Sequence, residues 1–151
     1  MAAGEHVADV GMTQPVVSLL ALLAGDRKWE VRKDVADGLL LVPGVVNKET
    51  SYADAYKRSQ KRIKTVVPLA KDLGVKINIE EVWNKFLLSP LEFARYVDEF
   101  KSPWVRAYFD VANVIDFGWP EDWIRTLDDR IEKVHIRSEE RRVGKECRSR
   151  W

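Results

Sequence analysis

At 151 residues, 46% of them hydrophobic and 32% charged, the chain has the length and composition of one globular domain that can bury a core. Its 25 basic and 24 acidic residues give a formal charge of +1, but six basic and three acidic residues fall within 137–151, which leaves the preceding body at −2. That balance argues against a nucleic-acid or membrane-surface partner.

Cys147 is the only cysteine, so the chain can form neither an internal disulfide framework nor a thiolate metal site. A reducing, cytoplasmic setting is expected. The apolar run at 16–24 is too short to cross a bilayer, and no Lys or Arg precedes it as in a secretory signal.

Residues 1–37 are weakly patterned. They are read as one strand or buried helix at 16–23 and a short helix at 26–37. From residue 38 to 136 the pattern is regular. A strand at 39–42 ends at Pro43-Gly44, and a helix opens at Ser51 with Asp54 three residues on, a capping-box spacing. Gly74 stops that helix, and Pro68 is expected to kink or divide it. A second strand covers 75–80. Ser89-Pro90-Leu91-Glu92 joins an N-cap, a proline at N1 and a Glu at N3, opening a helix to about residue 100. A third strand spans 105–111, a short helix opens at Pro120, and a fourth strand covers 133–136.

Strands alternating with helices imply parallel strands joined by right-handed crossovers. The strand starts lie about 28 to 36 residues apart, one βα unit each. Residues 137–151 have no apolar period and read as a basic tail, disordered or non-native.

Glu80 closes the second strand, Asp110 lies late in the third, and His135 lies late in the fourth. In a parallel α/β sheet or barrel the C-terminal strand ends converge on the face where ligands bind. Two carboxylates and an imidazole meeting there suit a divalent cation such as Mn²⁺, Mg²⁺, Co²⁺ or Zn²⁺. The alternative is that each is a polar strand end facing solvent. Trp83, Phe86, Trp104, Trp119 and Trp123 could cover an apolar face of a sugar or simply pack the core. Trp83, so close to Glu80, is the best candidate for substrate contact. The basic run Lys57, Arg58, Lys61, Arg62 and Lys64 reads as a solvated helix face, and no glycine-rich phosphate loop is present.

The segment Ile79-Glu80-Glu81-Val82-Trp83-Asn84-Lys85-Phe86-Leu87-Leu88-Ser89-Pro90 resembles the stretch around the first metal-binding glutamate of the xylose isomerase-like TIM-barrel superfamily. Within it, the likeness is nearest to the sugar-phosphate isomerases and epimerases of the hexulose-6-phosphate isomerase and L-ribulose-5-phosphate 3-epimerase type. Tyr108-Phe109-Asp110-Val111-Ala112-Asn113 is similar to the family's FDVGN segment, and Lys133-Val134-His135-Ile136 to its KVHxKD strand.

The resemblance implies a partial (β/α)8 barrel with four or five parallel strands and helices outside. It makes Glu80 a metal ligand and acid/base, Asp110 and His135 metal ligands, and Asn113 a substrate neighbour. The implied reaction is proton transfer through an enediolate on a sugar or sugar phosphate. Ala112 stands where the family has Gly, and Glu81 where it commonly has Asn. Arg137-Ser138 depart from the Lys-Asp that follows the histidine, and a second glutamate on the next strand has no counterpart. The chain is therefore expected to be an inactive fragment by itself, prone to self-association through open barrel edges. An endonuclease IV-like metal phosphodiesterase is disfavoured by two histidines in all and an acidic body. A non-catalytic barrel fragment is the third reading.

Overall fold

The computed structural model describes residues 30–34 and 38–136. They form a five-stranded sheet in the order β1-β2-β3-β4-β5, with β1 Glu30–Asp34, β2 Gly38–Val42, β3 Lys76–Glu80, β4 Val105–Asp110 and β5 Ile131–His135. Strands β2 to β5 run parallel, each to the next. The helices α1 Tyr52–Asp72, α2 Pro90–Asp98, α3 Val111–Val114 and α4 Pro120–Leu127 fill the connections, and a 3₁₀ turn, Asp128–Arg130, leads into β5. The readings for 16–23 and for the tail lie outside the described residues.

Alternation along the strands divides the sheet into two faces. Leu39, Leu41, Ile77, Ile79, Val105, Ala107 and Phe109 point toward the helices and join Ile63, Phe93, Tyr96, Trp123 and Leu127 in one core. The intervening residues Asn78, Glu80, Arg106, Tyr108 and Asp110 take the opposite, inner face. Parallel strands covered by helices should read as apolar runs on both faces, as β2 does, so polar residues at every second position of β3 and β4 mark a surface with another task.

The helix starts match the sequence signals. Ser51 Oγ accepts from the backbone N–H of Asp54 at 3.1 Å, and Ser89 Oγ from that of Glu92 at 3.2 Å. Two expectations are corrected. Helix α1 runs unbroken through Pro68 to Asp72. Pro68 and Lys64, whose carbonyl loses its helical partner there, both face solvent, where water can satisfy the carbonyl. The second correction concerns 26–37, where a helix was expected. Residues 30–34 form a strand, and it is antiparallel to β2, with Glu30 opposite Val42 and Asp34 opposite Gly38. Three residues separate the two strands. Such a link can join antiparallel neighbours, whereas a parallel pair needs a crossover of a dozen or more. Pairing there also satisfies the backbone groups along that edge of β2.

Candidate functional site

The last residues of β3, β4 and β5 are Glu80, Asp110 and His135. Each offers one ligating atom, and these atoms all lie within 4.8 Å of one another. Asp110 is 1% exposed and Glu80 8%, while the His135 side chain is 45% exposed. The structure therefore brings together the three residues that the strand pattern singled out.

His135 reaches this face because of an irregularity in β5. Ala107 pairs with Ile131, but the next residue, Tyr108, pairs with Lys133, so Glu132 is an extra residue in the ladder. Were Glu132 a regular ladder position, strict alternation would put His135 on the same face as Ile131 and Ala107, toward the helices. The bulge takes Glu132 out of the alternation, and His135 falls opposite Asp110.

Asp110 has two jobs. Its backbone is extended, and it caps α3, with Oδ1 accepting from the N–H groups of Ala112 at 2.9 Å and Asn113 at 3.3 Å. That fixes the carboxylate plane and leaves Oδ2 toward His135, whose Nδ1 lies 3.2 Å away. The Tyr108 ring meets the His135 ring edge to face, with centroids 6.3 Å apart.

Glu81, directly after β3, is 1% exposed, and neither carboxyl oxygen has a hydrogen-bond partner. Burial pushes its carboxyl well above the usual range. The charges on Glu80 and Asp110 act in the same direction. This feature did not emerge from the sequence reading, where Glu81 counted only as an added charge beside the site. A carboxylate between Glu80 and Val82 gives no warning in the sequence that it will be buried.

The loops above the strand ends are laced together. Asn84 Nδ2 donates to the Gly44 carbonyl, Val46 N–H to the Asn84 carbonyl at 3.1 Å, and Phe86 N–H to Asn84 Oδ1 at 3.2 Å. Below them, Tyr52 Oη accepts from Leu87 N–H at 3.0 Å and donates to Glu92. Lys85 and Leu87 hold left-handed backbone conformations, at φ 62° and 57°. For residues with a Cβ, such conformations persist only when the surroundings impose them.

Trp83, 40% exposed, donates from Nε1 to the Asn113 carbonyl at 3.0 Å. Asn113 is buried, and its Nδ2 donates to the Glu81 carbonyl at 2.8 Å. Of the other aromatics, Phe86 and Trp123 are core, Trp104 is half-buried and Trp119 is exposed. In the basic run, Lys57, Arg58, Lys61 and Lys64 are exposed and Arg62 is half-buried.

The donor set of two carboxylates and one imidazole fits a hard-to-borderline divalent cation. Two carboxylates converging on one point also favour a positive charge between them. Glu80, Asp110 and His135 are the residues that could hold it. Among the described residues no helix is long and apolar enough to cross a membrane.

Three solved structures share the architecture. A D-tagatose 3-epimerase-like protein aligns with a TM-score of 0.61 and 20% identity, over 68% of this chain and 42% of its own. A xylose isomerase domain protein from Planctomyces limnophilus gives 0.56 and 18%, over 80% and 39%. A D-allulose 3-epimerase from Methylomonas sp. gives 0.57 and 20%, over 67% and 38%. The chain thus spans about two fifths of the length of these structures, and the likeness is one of fold. No curated protein matches it. The family model described as "xylose isomerase-like TIM barrel" matches residues 26–150, most of the chain. The four parallel strands and their helices are part of that barrel, and the chain belongs to the xylose isomerase-like TIM-barrel family.

Proposed function

We propose that this chain carries the metal-binding part of an isomerase or epimerase that acts on a sugar or sugar phosphate by proton transfer next to a carbonyl. The observation that carries the reading is the meeting of Glu80, Asp110 and His135 within 4.8 Å at the ends of three consecutive parallel strands. The epimerase neighbours support the kind of reaction. A bound divalent cation would offset the carboxylate charge and polarise two neighbouring substrate oxygens.

Around that cation the chain's own residues have distinct tasks. Asp110 and His135 supply donor atoms whose positions the α3 cap and the β5 bulge set beforehand. Glu80 is a donor and also the acid/base group: its carboxylate takes the proton from the carbon beside the carbonyl, leaving an enediolate. Returning the proton to the neighbouring carbon isomerises the sugar. Delivery to the opposite face of the same carbon gives the epimer and needs a second acid. Trp83 and Asn113 border the site, and the half-exposed Trp83 ring could lie against a sugar. Epimerisation needs an acid/base group on each side of the substrate, and this reading assigns one of the two, Glu80. The fragment by itself is accordingly expected to bind a cation and to turn over little or no substrate.

Titrating Mn²⁺ into the chain by calorimetry tests this reading. One divalent site is expected, with Asp110→Asn weakening it by about 100-fold while unfolding stability changes by less than about 1 kcal/mol. The asparagine keeps the Oδ1 that caps α3. Absence of any bound ion, or affinity unaltered in Asp110→Asn and Glu80→Gln, would end the proposal.

A further inference from the structure

Asn113 makes three hydrogen bonds that end on three different parts of the site. Its backbone N–H donates to Asp110 Oδ1 at the end of β4, at 3.3 Å. Its side-chain Nδ2 donates to the carbonyl of Glu81, one residue beyond Glu80, at 2.8 Å. Its own carbonyl accepts from the Trp83 indole at 3.0 Å. The residue is 3% exposed, and its bonds to Asp110 and Glu81 are buried away from competing water, while the one from the Trp83 indole is partly buried. Helix α3 has only four residues, too few to be stable by itself, and depends on such anchors.

We propose that Asn113 is a positioning residue: a cross-strand clamp that sets the spacing between the Glu80 and Asp110 carboxylates. Main-chain ladder bonds join β3 to β4 only as far as the register Glu80–Tyr108, two residues short of Asp110. The paired register ends at that level. The Asn113 side chain continues the tie above the ladder, from the β4–α3 corner to the β3 loop, 32 residues away in sequence. Trp83 closes the same loop from the other side. The amide that could otherwise face a ligand is directed into the protein frame, which makes its effect on a ligand indirect. This inference rests on the metal-site reading for its consequence but not for its geometry.

The test uses the full chain and two readouts. The first needs no metal: hydrogen exchange of the Trp83 indole N–H by NMR, its resonance assigned by loss in Trp83→Phe. The second is Mn²⁺ affinity by calorimetry. Asn113→Ala removes the bond to Glu81 but leaves the carbonyl that Trp83 contacts. It is expected to speed indole exchange about tenfold or more and to weaken Mn²⁺ binding by about 10- to 100-fold.

Gln60→Ala is the comparison variant, because Gln60 Nε2 makes an equivalent buried bond to the Tyr96 carbonyl at 2.8 Å, in the helix layer. It should lower the melting temperature to a similar extent and leave both readouts unmoved. Wild-type indole exchange in Asn113→Ala overturns the clamp, as does an equal change in Gln60→Ala. Were the wild-type chain to bind no Mn²⁺, the metal-site reading would fall and the indole exchange would still decide on the clamp.

Discussion

The two faces of the sheet are made from the same strands and differ in everything else. On β4, Val105, Ala107 and Phe109 are sealed against the helices, while Arg106, Tyr108 and Asp110 line the inner face. Burial of the first set drives folding, at about 25 cal/mol for each Å² of apolar surface removed from water. The second set contributes little to that sum and determines what the molecule can bind. Alternation lets one strand serve both ends, provided that every strand keeps its phase.

The sharpest way to break the comparison is to damage the helix face. Phe109 is fully buried and stacks on Trp123, with ring centroids 6.3 Å apart. Phe109→Ala is expected to cost about 3–5 kcal/mol, a large fraction of a single domain's total stability. Urea unfolding followed by tryptophan fluorescence measures it. A loss near 1 kcal/mol would mean that the core collapses around the gap and that the helix face is less constrained than its packing suggests.

Much of this two-faced design was legible in the sequence. Short β-rich runs alternating with helical stretches mark the four parallel strands, and Ser51 and Ser89 cap the helices they were expected to cap. Glu80, Asp110 and His135 could be singled out because the end of a parallel strand is a local property with a global meaning. What stayed hidden depends on partners distant in the chain. The antiparallel pairing of β1 is decided by the free edge of β2, not by the composition of 30–34. The extra residue at Glu132 exists only relative to β4. The burial of Glu81 and the clamp through Asn113 need both loops in place at once.

Glu81 offers a middle-sized test, because it is a chargeable group placed in apolar-like surroundings beside the inner face. With the folded-state value raised above the ordinary carboxylate value, the native chain holds a proton that the unfolded chain releases. Stability is therefore full below the ordinary carboxylate range and falls as pH rises toward and through the raised value. In chelator-treated protein the urea midpoint should drop as pH rises above the ordinary carboxylate range. Glu81→Gln removes the titration and should flatten most of that slope. An unchanged slope would assign the pH dependence to other groups and make the burial of Glu81 energetically unimportant.

The smallest expected effect lies at the opposite end of the inner face from the carboxylate cluster. There the extra residue of β5, Glu132, turns toward Lys76, with Oε1 2.6 Å from Nζ, and toward Arg106, with Oε2 3.6 Å from Nε. One carboxylate thus sits between two cations, all three about one-quarter to one-third exposed. Solvent and salt screen such a group, so Glu132→Gln should cost only about 1 kcal/mol or less, and less still at high ionic strength. The bulge itself is a matter of residue count rather than charge. Deleting Glu132 should therefore remove the bulge and leave Lys133, Val134 and His135 opposite Tyr108, Phe109 and Asp110, with Mn²⁺ binding retained. Loss of Mn²⁺ binding in the deletion would mean that the imidazole's place beside Asp110 needs the bulge itself and not only the register of Lys133 to His135.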